Sequence, residues 1–131
     1  MSASATGNAV GILCTHDLMF YSQVTGAARS LGKKMIGVRS VDDLLTRLAE
    51  APAKCLFLDL MLPGLEVDRD IPRIRDACVA GLVIVAYGPH VQVARLEQAE
   101  AAGCDAVMPR SRFSSSLNAL IEQYLPACLE T

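Results

Sequence analysis

Five short apolar runs alternate with segments of helical periodicity from one end of the chain to the other, and that alternation leaves little choice of fold. Repeated β-α units specify a parallel sheet with helices laid on its faces, whereas separate α and β halves would group their strands. The strands are expected at residues 9–14, 35–38, 54–58, 82–86 and 105–108. After the first, Phe20, Val24, Ala28 and Leu31 share one helical face before Gly32 stops the helix. Ser40 and Asp43 are spaced like a capping box at the head of the next helix, whose Val41, Leu44, Leu45 and Leu48 face inward. The third helix is expected to begin near Pro72, which a first turn tolerates, and to bury Ile74, Ala77 and Cys78 before Gly81. A fourth covers about residues 90–102 and ends at Gly103. The fifth carries Phe113, Leu117, Leu120, Ile121 and Tyr124 as far as Pro126.

A chain of 131 residues suits one domain, 1–131, with the small polar residues 1–8 as a flexible N-terminus. Twelve Lys and Arg stand against 14 Asp and Glu without a run of like charge, so neither nucleic acid nor an anionic membrane is favoured as a partner. A hydrophobic content of 52% is high for a soluble domain and leaves room for an apolar surface that meets a partner. No apolar stretch approaches the roughly 20 residues of a membrane span. The start of the chain lacks the basic and apolar regions of a secretion signal, and the expected location is cytoplasmic. The five cysteines have neither CxxC nor His-rich spacing. Cys14, Cys55 and Cys104 fall in or beside strands, where Cys acts as a small hydrophobe, so reduced core residues are expected.

Residues 56–64 read Leu-Phe-Leu-Asp-Leu-Met-Leu-Pro-Gly, an apolar strand ending on the single carboxylate of Asp59. A strand buried on both faces is almost continuously hydrophobic, so an acid at its carboxyl end stands at the rim where open α/β sheets bind ligands. An Asp before a Pro-Gly turn is also what turn geometry alone selects, and these nine residues do not decide between the two readings. In a parallel sheet the loops after strands one, three, four and five share that rim, which brings His16, Asp17, Asp59, Tyr87 and Arg110 together.

With those residues in place, the chain resembles, over essentially its whole length, a receiver domain of the two-component response-regulator family. The most specific stretch is Leu58-Asp59-Leu60-Met61-Leu62-Pro63-Gly64. The resemblance implies a flavodoxin-like (βα)5 three-layer sandwich, its five-stranded parallel sheet in the order 2-1-3-4-5 with an acidic pocket between strands one and three. It further implies that Asp59 accepts phosphate and that Asp17, Asp59 and the backbone carbonyl of Met61 hold Mg²⁺, a hard cation content with a carboxylate or two and its own waters. Arg110 would then pair with the phosphoryl group, or with Asp59 when no metal is bound.

Several positions depart from the family pattern. His16 stands where a second acid is usual, which weakens the metal site and makes His16 a doubtful ligand. Tyr87 replaces the Ser or Thr that hydrogen-bonds a phosphoryl oxygen, Arg110 replaces a Lys, and Val107 replaces the aromatic residue of strand five. Arg for Lys is not a neutral exchange, because a planar fork replaces a compact ammonium. Pro109 also falls earlier than the family's Pro, so the loop after strand five is expected to differ.

Two functions follow from the resemblance. One is a stand-alone, non-enzymatic receiver in phosphorelay signalling, whose chemistry is limited to phosphorylation and dephosphorylation of Asp59. Its expected partners are a histidine kinase or phosphotransfer protein, and a downstream protein or a second copy on the face of helix four, strand five and helix five. The other is a degenerate receiver that docks a partner without phosphorylation. Haloacid-dehalogenase-like phosphatases need an acid where Met61 stands, and an FMN binder needs a phosphate loop that Cys14-Thr15-His16-Asp17-Leu18 does not supply. GxGxxG and GxxxxGK[ST] are absent as well.

Overall fold

The computed structural model describes residues 10–51, 53–78 and 81–125. Strands β1 (Val10–Cys14), β2 (Met35–Val38), β3 (Ala53–Asp59), β4 (Val83–Gly88) and β5 (Ala106–Pro109) form one sheet in the order β2-β1-β3-β4-β5. Every pairing is parallel, with Leu13 opposite Phe57, Phe57 opposite Val85 and Asp59 opposite Tyr87. The parallel sheet is the one expected from the alternation of runs, and its order and flavodoxin-like architecture are those the resemblance implies. β1 is buried along its whole length because helices cover both faces, which is why its sequence shows no polar alternation.

The helices are α1 (Leu18–Ser30), α2 (Val41–Glu50), α3 (Val67–Ala77), α4 (Val93–Ala101), α5 (Arg110–Ser115) and α6 (Leu117–Tyr124). On one face α2, α3 and α4 set Leu44, Leu48, Ile71, Ile74 and Ala99 against an aliphatic layer that includes Ile12, Leu56, Leu58 and Ile84. On the other, α1, α5 and α6 set Phe20, Val24, Phe113 and Ile121 against Leu13, Phe57, Val85 and Tyr87, a layer rich in aromatic rings. Gly32, at φ 71°, stops α1 in a backbone conformation that other residues rarely adopt. A Cβ at Gly37 would collide with the ring of Tyr21, so glycine there lets α1 lie close on the edge strand β2.

Some boundaries differ from expectation. The third helix begins at Val67, not near Pro72, which lies inside it. Its early start is held by Asp70, whose buried carboxylate accepts the Glu66 N–H at 2.9 Å and is gripped by Arg69 and Arg73. β4 runs on to Gly88, so Tyr87 is a strand residue paired in register with Asp59. The segment from Pro89 to Gln92 forms a turn, closed by the Gln92 N–H on the Pro89 carbonyl, and helix α4 starts only at Val93. Pro109 closes β5 and the chain enters α5 at once, leaving no loop. The terminal helix expected as one piece is broken at Ser116. At the opposite end of the sheet Arg75 binds the carbonyls of Leu82 and Gly103 and the carboxylate of Asp105, tying α3 to the starts of β4 and β5. Cys14, Cys55, Cys78 and Cys104 are free thiols. The expected flexible segment 1–8, the strand start at Ala9 and the helix stop at Pro126 lie outside the described residues.

Candidate functional site

Strand parity decides which side chains meet at the carboxyl rim. Side chains two apart share a face, so Leu13, Phe57 and Val85, all packed on the aromatic side, carry Thr15, Asp59 and Tyr87 to that same side at the strand ends. Thr15 is buried, and only 7% of Asp59 is exposed.

Both oxygens of the Asp59 carboxylate are engaged by neutral donors. The Thr15 hydroxyl donates to Oδ2 at 2.7 Å, and the Met61 N–H donates to Oδ1 at 2.9 Å. Thr15 Oγ1 in turn accepts the Asp17 N–H at 3.1 Å. Asp17 is the N-cap of α1: its Oδ1 accepts the Phe20 N–H at 3.0 Å, the arrangement that satisfies one of a helix's open donors. Its Oδ2 accepts from Arg110 Nη2 at 2.8 Å. The Phe20 amide, then the Arg110 guanidinium, hold the Asp17 carboxyl below the usual carboxylate range.

Arg110 was expected to pair with Asp59, and the structure places it on Asp17 instead. Its guanidinium carbon also lies 4.4 Å from the centre of the Phe20 ring, a cation-π contact. The reason is depth: Asp59 is sunk below the rim with both oxygens taken, whereas Asp17 and Phe20 lie one helical turn apart at the head of α1. His16 is exposed.

Tyr87 is fully buried, its ring stacked on Phe113 with centroids 4.4 Å apart and packed against Phe20 at 5.2 Å. Its hydroxyl makes no hydrogen bond of normal geometry, an omission that costs on the order of 1–3 kcal/mol in a folded protein. Burial, then the nearby Asp59 carboxylate, push the phenol up, with Thr15 and Arg110 opposing, so it stays neutral. Val107 packs with the aliphatic layer on the other face of the sheet. The Cys14 thiol is pushed up to about 12, by burial and then by Asp59 and Asp43, and so offers no thiolate nucleophile.

The Mg²⁺ set implied by the resemblance fits these residues poorly. A cation at Asp59 would have to share Oδ2 with the Thr15 hydroxyl, and at Asp17 it would meet the Phe20 amide on one oxygen and the Arg110 guanidinium, a like charge, on the other. Met61 presents its N–H to Asp59. Among the described residues no three His, Cys, Asp or Glu side chains gather as a metal site. Sequence reasoning passed over Thr15 and the second contact of Phe20. The available signal was parity, since Thr15 lies two residues after the inward-facing Leu13.

No protein-family model and no curated protein matches the sequence. Solved structures do. A CheY-like response regulator receiver domain protein from Methanospirillum hungatei superposes with a TM-score of 0.75 at 13% identity, over 88% of this chain and 91% of that one. A chain from the Saccharomyces cerevisiae complex of a histidine phosphotransfer protein with the receiver domain of its downstream response regulator gives 0.74 at 16%, over 88% of each. The receiver domain of a sensor histidine kinase from Pseudomonas aeruginosa, with magnesium in its active-site cleft, gives 0.72 at 18%, over 88% of this chain and 97% of that one. What is shared at these identities is the fold, and the fold of this chain is that of a response-regulator receiver domain.

Proposed function

We propose that the chain is a receiver-fold signalling module that docks a protein partner at the carboxyl rim without being phosphorylated. The observation that carries this reading is the closed set of contacts around Asp59: both carboxylate oxygens, the Thr15 hydroxyl and the Arg110 guanidinium already have partners within the chain. Docking is supported by the surface. The large hydrophobic side chains exposed among the described residues, Leu18, Met19, Met61, Val91 and Val93, stand on α1's first turn, the loop after β3 and the approach to α4, all at that rim. Exposed apolar side chains on neighbouring loops of one rim offer a partner apolar surface to cover. The yeast neighbour complexed with a histidine phosphotransfer protein supports a histidine kinase or phosphotransfer protein as the class of partner. No helix among the described residues is long and apolar enough to cross a membrane.

Intact-mass measurement after incubation with acetyl phosphate and Mg²⁺ tests the reading, and the expected result is an unmodified chain. A phosphoryl adduct that disappears in Asp59→Asn would overturn it. That result would favour the phosphoacceptor reading, in which Asp59 takes the phosphoryl group, Arg110 leaves Asp17 to pair with it, and Asp17, Asp59 and the Met61 carbonyl hold Mg²⁺. The position of Asp59 at the carboxyl end of β3 favours that second reading.

A further inference from the structure

The two oxygens of Asp59 lead to two different parts of the apolar rim. Through Oδ1 the carboxylate holds the backbone of Met61, whose side chain is exposed. Through Oδ2 it holds Thr15, whose oxygen accepts the Asp17 N–H, and Asp17 caps α1 immediately before the exposed Leu18 and Met19. We infer that Asp59 is a pin for the docking rim and that Thr15 is the positioning residue through which the state of its carboxylate sets the first turn of α1.

Hydrogen-bond capacity gives the inference its direction. A Thr hydroxyl has one proton and two lone pairs. Here the proton goes to Asp59 and one lone pair receives the Asp17 N–H, so any change at Oδ2 that reorients the hydroxyl is felt by the residue that caps α1. Arg110 extends the path to the head of α5, because it touches Asp17 and the Phe20 ring and not Asp59. A route through β4 and β5 has no comparable carrier. The Tyr87 ring is wedged between Phe20 and Phe113, and Val107 sits on the opposite face. The pin holds in the free chain, so it stands or falls apart from the docking proposed above.

Backbone amide NMR of the free protein tests it. Asp59→Asn has one acceptor oxygen where the carboxylate had two, so either the Met61 N–H loses its acceptor or the Thr15 hydroxyl must turn and accept from the new amide. The expected changes are centred on Asp17, Leu18, Met19, Phe20, Met61 and Arg110, with Val107 and α4 unmoved. In a Thr15→Val background Asp59→Asn should still move Met61 but leave residues 17–20 where Thr15→Val alone puts them, while Thr15→Ser restores the coupling. Should Thr15→Val fail to fold, Thr15→Ala compared with Thr15→Ser makes the same test. The inference is overturned if residues 17–20 respond equally with and without the hydroxyl, or if the changes run to Val107 and α4 and spare α1. Failure of both backgrounds to restore coupling with Ser would likewise overturn it.

Discussion

Asp59 and Asp70 are both buried carboxylates, yet they are held in opposite ways. Asp70 is gripped by Arg69 through Nε at 2.9 Å and Nη2 at 3.2 Å, by Arg73 at 3.0 Å and by the Glu66 N–H at 2.9 Å. Burial alone would raise its pKa, but the hydrogen bonds from Arg69, the Glu66 amide and Arg73 reverse the sign and hold it below the usual range. Asp59 receives only a hydroxyl and one amide, and among the described residues no cation pairs with it. The difference lies in charge pairing. Two guanidiniums hold Asp70 as a fixed part of the start of α3, while Asp59 is held by neutral donors alone.

The largest expected effect tests this contrast in stability. Asp70→Ala should cost about 3 kcal/mol, the scale of charge-assisted hydrogen bonds lost from a buried site. Asp59→Asn should change stability by less than about 1 kcal/mol, because the amide keeps one of the two acceptor sites and removes an unpaired buried charge. Urea midpoints at unchanged m-value measure both, and equal losses would break the comparison. The same pair predicts a pH signature. Asp70 has a depressed folded pKa, so its contribution is present above the unfolded value of about 3.9 and is lost as pH falls through the folded value. The stability gap between the wild type and Asp70→Asn should therefore narrow as urea melts are taken from neutral pH to below that range.

A smaller effect is expected at Thr15. Thr15→Asp would set two carboxylates against each other where a hydroxyl now touches Asp59, supplying the hard oxygen pair that the pocket lacks. Mg²⁺ should then bind at least about tenfold more tightly than to the wild type, about 1.4 kcal/mol, and calorimetric titration would show it. No gain would mean that Thr15 is not what separates this pocket from a metal site. The smallest effect belongs to Arg110→Gln. With the guanidinium gone and the Phe20 amide still in place, the Asp17 carboxyl should titrate at higher pH than in the wild type, followed by carbon NMR of its side chain. An unchanged titration would show that the cap alone sets Asp17.

The five strands and the place of Asp59 were legible because both depend on patterns that survive in one dimension, apolar runs and their ends, whereas the order of the strands came from the resemblance to receiver domains. Asp17 and Arg110 were likewise recognisable as rim residues, since the strands that carry them could be located. Their pairing was not, because it depends on the depth of Asp59 below the rim and on Phe20 lying one turn from Asp17. The early start of α3 was hidden for a similar reason. Pro72 resembles a first-turn proline, and nothing near it in sequence reveals that Asp70 is buried between two arginines. The break at Ser116 carries no glycine or proline to mark it. Thr15 is a common residue in a short loop, and it became visible only once the register of β1 and β3 put it on the side of Asp59.

The sealed phenol of Tyr87 gives the pocket an optical signal of its own. The chain has three tyrosines and no tryptophan, so tyrosine dominates its near-ultraviolet absorption and emission, with one of the three packed beside the Asp59 carboxylate. A raised folded pKa means that this ring favours the fold at and below the ordinary tyrosine value near 10 and that the benefit is lost as pH climbs above it. In a rapid alkaline jump, phenolate absorbance from Tyr87 would lag until the aromatic layer parts, so the dye-free kinetics of that absorbance would time the opening of the face on which the pocket is built.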